Sequence, residues 1–225
     1  MKQLIIISIL TIFATIGCSQ KNGNAPKMKD GKNPRIADYI KDKGFEKYSV
    51  ATFAGGCFWC TEASFERING VVEVISGYSG GHLDHPTYRE VCAETTGHAE
   101  AIQIYFDPEV VTFDKLLDVF FVAHDPTQLN RQGNDIGESY RSEIFYQNQE
   151  QKDLIDKKIE ALNKSTFNNK IVTKVNSYKE FWVAEAYHQG YYDINPRQSY
   201  VYNVSRPKVE KVMKTFKDIL KPKYK

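Results

Sequence analysis

Cys57 and Cys60 stand three residues apart in the string AGGCFWCTE, residues 54–62, around Phe58 and Trp59. Gly55 and Gly56 come just before the first cysteine; the segment ahead of them reads as a strand and the one behind as a helix. A cysteine at the mouth of a helix meets unpaired N–H groups and the positive end of the helix dipole, both of which favour an anion. The expectation is a thiol of lowered pKa that acts as a nucleophile near neutral pH. At i, i+3 spacing, Cys60 shares the helical face and can reach Cys57 to form a disulfide. Three plainer accounts stand beside redox chemistry: buried core thiols, a structural disulfide, and a metal site. Core thiols fit poorly beside a double glycine in an exported chain. A disulfide across so short a loop stabilises little, and no further Cys or His stands at metal-ligand spacing.

An acid complements this nucleophile. In HAEAIQIYF, residues 98–106, strand alternation sets Glu100 on one face with Ile102, Ile104 and Phe106. An ionised carboxylate on an apolar face is costly, so the carboxyl is expected to keep its proton and serve as a general acid. A strand-end glutamate curling into solvent is the plainer alternative. Thiolate and acid together suit attack on an electrophilic centre whose oxygen must take a proton to leave.

The elements that must position these residues follow from the patterning. Residues 48–54 read as a strand and 57–68 as a helix, and Asn69-Gly70 makes a turn into a second strand over 71–78. A loop over 79–87 precedes a third strand over 98–106, a helix over 112–124 and a fourth strand over 140–146. This β-α-β-β-α-β order is that of the ferredoxin-like split β-α-β, so the fold class is α/β (α+β), a mixed sheet packed with helices. A long amphipathic helix is expected over 148–164 and a further strand over 170–175. The closing stretch places Val209, Val212, Met213, Phe216, Ile219 and Leu220 on one face of a basic C-terminal helix, 206–225, a stripe read as packing. The catalytic domain is expected over 47–205.

The N-terminus reads differently. Lys2 precedes a nearly unbroken apolar stretch, residues 4–17, shorter than the roughly 20 residues a membrane span needs, so 1–17 is read as a signal peptide. It ends in TIGC, similar to the lipobox of bacterial lipoproteins, with Thr15 where such boxes usually carry Leu; Cys18 is then the lipidated residue. A plain signal peptide cut nearby, or an uncleaved anchor, is the alternative. On this reading the protein is an exported, membrane-anchored lipoprotein of the cell envelope or periplasmic side. Residues 18–46, polar and rich in Gly, Pro, Asn and Lys at their start, form a flexible tether. Three thiols remain in the mature chain, an odd number that argues against a purely structural disulfide framework.

The formal charge of +2 conceals an uneven distribution: residues 19–48 carry eight Lys/Arg against four Asp/Glu, 206–225 carry eight against two, and 49–205 carry thirteen against twenty-two. Basic tails on an acidic body do not point to nucleic acid; a solvated tail, or weak support of the anchor by anionic headgroups, fits better. Nothing demands more than a monomer.

The strings GGCFWC, GYSGG, PTYREVC, TGHAEA, HDPTQLNRQGNDIG, YRS and YHQGYYDINP, in this order from about residue 48 to 196, together resemble peptide methionine sulfoxide reductase of class A. The resemblance implies reduction of methionine S-sulfoxide, free or in proteins, with no cofactor and a thioredoxin-like protein as external reductant. It implies Cys57 as the nucleophile and Glu100 as the acid that protonates the sulfoxide oxygen. Tyr88 and Tyr140 would hold that oxygen, Asp135 would order the site, and the Phe58 and Trp59 rings would accept the substrate's ε-methyl group. Many family members resolve the resulting sulfenic acid with cysteines in a C-terminal tail. This chain has none after Pro196 and carries Cys60 where many relatives have Gly, so Cys60 is read as the resolving thiol. Cys92 is the competing candidate, read instead as a small buried core residue, and His188 is read as a satisfied structural histidine. Two rival functions remain: a thioredoxin-like thiol–disulfide oxidoreductase, which gives no role to Glu100 or the tyrosines, and a lipoprotein binding module stabilised by a disulfide.

Overall fold

The computed structural model describes residues 31–225. Helix α1 (Ile36–Ile40) leads into strand β1 (Ser49–Gly55), helix α2 (Phe58–Glu66), strand β2 (Val71–Ser79), the short helix α3 (Tyr88–Cys92), strand β3 (Ala99–Phe106) and helix α4 (Phe113–Ala123). A two-residue hairpin, β4 (Arg131–Gln132) with β5 (Asp135–Ile136), precedes β6 (Ser142–Tyr146) and α5 (Gln149–Leu162). Then come β7 (Lys174–Ser177), β8 (Phe181–Val183), α6 (Tyr191–Ile194) and α7 (Arg206–Thr215).

The sheet order is β7-β6-β1-β3-β2-β8. Its centre, β6-β1-β3-β2, pairs antiparallel throughout and has the strand order of the split β-α-β, as the alternation of elements predicts. Two edges go beyond that core. β7 adds parallel to β6, starting four residues and ending two residues beyond the strand expected over 170–175, and β8 adds antiparallel to β2. Neither β8 nor the β4–β5 hairpin is long enough to carry a period that sequence reading detects.

Strand β3 is buried on both faces along its whole length. One face, with Ile102, Ile104 and Phe106, packs against Phe58 and Phe65 of α2, Leu116 and Phe120 of α4 and Val212 of α7. The other face, with Ile75, Tyr105, Phe145 and Phe181, is covered by Ile36, Tyr39, Phe45 and Tyr48. This corrects the tether read over 18–46. Its residues up to 30, like Cys18 and the expected signal peptide, lie outside the described residues. From Asn33 onward the segment straps the sheet, because an apolar second face must be covered to remove it from water. Asn33 is fully buried and donates to the Pro86 carbonyl at 2.8 Å, while Arg35 bridges to Trp182. The C-terminal segment is likewise part of the body: Val209, Val212 and Leu220 of the expected stripe are buried and Met213, Phe216 and Ile219 partly so. Its helix ends at Thr215, and a π-helical turn, Val201–Ser205, precedes it. Among the described residues no helix is long and apolar enough to cross a membrane.

Candidate active site

Strand β1 delivers Gly55 and Gly56 to the end of the sheet, and Cys57 caps α2. Gly56 is required here on two counts. Its φ of +83° is a left-handed conformation, and a Cβ would lie 2.6 Å from the Gln132 side chain. That close approach docks the β4–β5 hairpin against the cysteine loop. Gln132 is fixed by paired bonds to the Asp125 backbone, 3.1 and 3.0 Å, at the end of α4. Asp135, on the same hairpin, accepts a hydrogen bond from Tyr200.

The mouth of α2 divides its amide donors between two groups. The Phe58 N–H donates to Glu100 Oε2 at 2.9 Å, and the Trp59 N–H reaches the Cys57 sulfur. Glu100 is 3% exposed, and burial pushes its carboxyl up to about 8, the Phe58 bond opposing and the charges of Asp135, Cys60 and Glu94 adding to the rise. The carboxyl therefore holds its proton at neutral pH.

Both sulfurs are buried free thiols, and they share a hydrogen bond. The lowered pKa expected for Cys57 falls on its neighbour instead. Burial, Cys60 and Glu100 push the Cys57 thiol up, leaving a single N–H from the helix to oppose them. The Cys57 hydrogen bond, the Lys208 charge and the Ser205 hydroxyl pull Cys60 down against its own burial. Cys60 Sγ lies 3.2 Å from Ser205 Oγ, on the π-helical turn ahead of α7.

Rings line the approach to the pair. Phe58 is buried, with His188 at 4.9 Å between ring centres and Tyr88 stacked at 6.4 Å. Trp59 is half-buried, stacked at 3.8 Å on Tyr191 with Tyr200 edge-on. The Trp59 indole N–H donates to His188 Nδ1 at 3.0 Å, which leaves the proton of a neutral imidazole on Nε2. Burial lowers the His188 pKa to about 4, so the ring stays neutral at physiological pH. Among the described residues the buried Nε2 has no hydrogen-bond partner, so His188 is not the satisfied structural histidine read from sequence: it forms part of the ring-lined wall.

Tyr88 and Tyr140 enter from α3 and from the 3₁₀ turn before β6, both half-buried. Burial and the nearby Glu100 hold both phenols above their usual range, so both carry their protons. Glu185 fixes the first of them, accepting from the Tyr88 backbone N–H at 2.9 Å and from the Tyr78 hydroxyl at 2.8 Å. Glu94 fixes the second, accepting from the Ser139 N–H at 3.1 Å and its hydroxyl at 2.6 Å, one residue before Tyr140. Cys92 is exposed, a correction to the buried core residue expected: Val91 takes the inward position of α3 and turns its neighbour outward.

Sequence reading passed over Glu185, Tyr200 and Ser205. Glu185 adjoins the YHQGYY string and could have been marked as an acid within an aromatic run. Tyr200 and Ser205 come from a stretch with no motif, where only the missing tail cysteine drew notice.

The model of the peptide methionine sulfoxide reductase family matches residues 49–220. Peptide methionine sulfoxide reductase MsrA 1 of Rhodopirellula baltica is 52% identical over 188 residues, 84% of this chain and 97% of that protein. The MsrA of Thermus thermophilus is 48% identical over 173 residues, 77% of this chain and 98% of its own. Among solved structures, methionine sulfoxide reductase A of Corynebacterium diphtheriae aligns at a TM-score of 0.63 with 33% identity, covering 69% of this chain and 79% of that one. The reduced form of Mxr1 from Saccharomyces cerevisiae aligns at 0.61 with 38% identity, covering 68% and 88%.

Proposed function

The chain belongs to the peptide methionine sulfoxide reductase family, class A, and from that premise we propose how its residues divide the reaction. The protein reduces methionine S-sulfoxide, free or within oxidised proteins, to methionine. The observation that carries the assignment of roles is the buried, protonated Glu100 held by the Phe58 amide at the helix mouth where Cys57 stands.

Cys57 is the nucleophile. It passes its shared proton to Cys60 and attacks the sulfoxide sulfur while Glu100 gives its proton to the oxygen. The S–O bond to the substrate breaks, methionine leaves, and Cys57 is left as a sulfenic acid. Tyr88 and Tyr140, with their phenol protons in place, donate to the oxygen as charge develops on it. Asp135, tied to Tyr200, orders the hairpin beside the pair. The Phe58 and Trp59 rings take the methyl group of the substrate, an apolar load suited to an aromatic wall.

Cys60 then attacks the sulfenic sulfur, water leaves, and a Cys57–Cys60 disulfide forms, which a thioredoxin-like dithiol reduces by exchange. Its support is the hydrogen bond between the two sulfurs. The exposed Cys92 lies on α3, beside the Tyr88 side chain rather than in the helix mouth. Peptide mapping of protein oxidised by one equivalent of methionine sulfoxide should find Cys57 linked to Cys60. A Cys57–Cys92 link overturns the assignment.

We also take the chain to be an exported lipoprotein anchored through Cys18. Its support is the apolar stretch and the TIGC string alone. The enzyme is taken to act as a monomer, because one chain contributes every residue of the site; an obligate dimer on size-exclusion chromatography would contradict this.

A further inference from the structure

The reading of Cys60 as the resolving thiol has a structural consequence at the far end of the chain. Cys60 sits within the first turn of α2, buried, and besides Cys57 its sulfur meets a hydroxyl. That hydroxyl belongs to Ser205, which is itself fully buried. Ser205 closes the π-helical turn Val201–Ser205. π-Turns are rare interruptions of a helix and recur where a side chain must be re-aimed. Here the turn places Tyr200, at its start, on Asp135 and Ser205, at its end, on Cys60. Three residues later and on the same helical face comes Lys208, half-buried on α7.

We propose that Ser205, with Lys208 behind it, activates Cys60 for attack on the Cys57 sulfenic acid. A serine hydroxyl rotates freely, so it accepts from Cys60 while that sulfur carries a proton and donates to it once charge builds there. In the resolving step the Cys60–Cys57 S–S bond forms and the Cys57 S–O bond breaks. The Cys60 sulfur is oxidised, the Cys57 sulfur is reduced, and the Cys60 proton leaves with the hydroxyl as water. The Ser205 donor and the Lys208 charge stabilise the developing thiolate, the form that is nucleophilic. The charged or titratable groups facing Cys60 are Cys57 on its own helix, Glu100 on β3, Asp135 on the hairpin, Tyr200 and Lys208. Cys57, Glu100, Asp135 and Tyr200 disfavour a thiolate when ionised, and Lys208 favours it.

The test follows the two steps separately in the reduced full-length chain, mixed with one equivalent of methionine S-sulfoxide and quenched over time. Ser205→Ala should release methionine with the wild-type burst amplitude while the second thiol disappears about tenfold more slowly at neutral pH, the factor that one unit of pKa represents. The pH midpoint of the second step should move up in this variant, and Ser205→Thr should restore the wild-type profile. Lys208→Gln should raise the same midpoint and serves if the alanine chain folds poorly. Wild-type rate and midpoint for the second step in Ser205→Ala, or in Lys208→Gln if that chain must stand in, overturn the proposal. Cys60→Ser separates this from the underlying reading: if it still loses two thiols, Cys60 is not the resolving residue, whereas loss of one leaves that reading intact whatever Ser205 does.

Discussion

Glu100 lies on the helix-covered face of β3, and its carboxyl is held at about 8 against an ordinary 4.5. The sign of the linkage is definite. The folded protein keeps a proton that the unfolded chain releases, so stability from this group is complete below the ordinary value and is lost as pH rises toward 8. Across that window each pH unit costs about 1.4 kcal/mol at this one residue. Glu100→Gln keeps an acceptor for the Phe58 amide and removes the titration. It is expected to raise the thermal midpoint at pH 8 while lowering kcat by roughly 100-fold or more, since the general acid is gone. In the wild type, activity should fall as pH passes through about 8, and Glu100→Gln should lack that fall; a variant that matches the wild-type rate across pH 5–8 removes Glu100 from the mechanism. Its burial was legible in the alternation of 98–106. The division of the helix-mouth amides between Glu100 and Cys57 was not, because it depends on how β3 and α2 meet rather than on either string alone. For the same reason the lowered thiol pKa expected at Cys57 falls on Cys60.

At the scale of elements, the β-α-β-β-α-β core was readable because three of its four strands run seven to nine residues and its second helix, α4, runs eleven, long enough to carry a period. The pieces that complete the site are shorter than any period: the β4–β5 hairpin with Asp135 and the π-turn with Ser205. The contact of Gly56 with Gln132 joins the two classes. Gly56→Ala places a Cβ in the left-handed region and against a side chain that is tied at both ends, so the hairpin must shift. A cost of about 1–3 kcal/mol is expected, which lowers the thermal midpoint by at least about 2–4 °C in a chain of this size. Because Asp135 moves with the hairpin, kcat/KM should fall with it. A variant that loses stability and keeps full activity would show that the hairpin does not order the site. The tether expectation failed at its C-terminal half for a related reason: the polar start of that segment hid Ile36, Tyr39 and Phe45, whose apolar surfaces the second face of the sheet requires.

Over the whole molecule, the C-terminal segment does the work of a brace rather than of a tail. Val209 and Val212 seal the helix layer, and Leu220 pairs with Ile68 at the end of α2. The same segment brings Tyr200 and Ser205 to the cysteine pair, so its lack of cysteine and its hydrogen bonds to the site belong together. The opposite end of the chain bears on location. The wild-type protein expressed in a bacterial host is expected to fractionate with membranes, and Cys18→Ser is expected to be released from them; equal membrane retention of both would contradict lipid anchoring at Cys18. The central claim is tested most directly by a single turnover of the reduced chain with each methionine sulfoxide epimer, counting methionine formed and free thiols remaining. The account predicts turnover of the S epimer alone with loss of two thiols. No turnover of either epimer, or turnover of the R epimer alone, would contradict it.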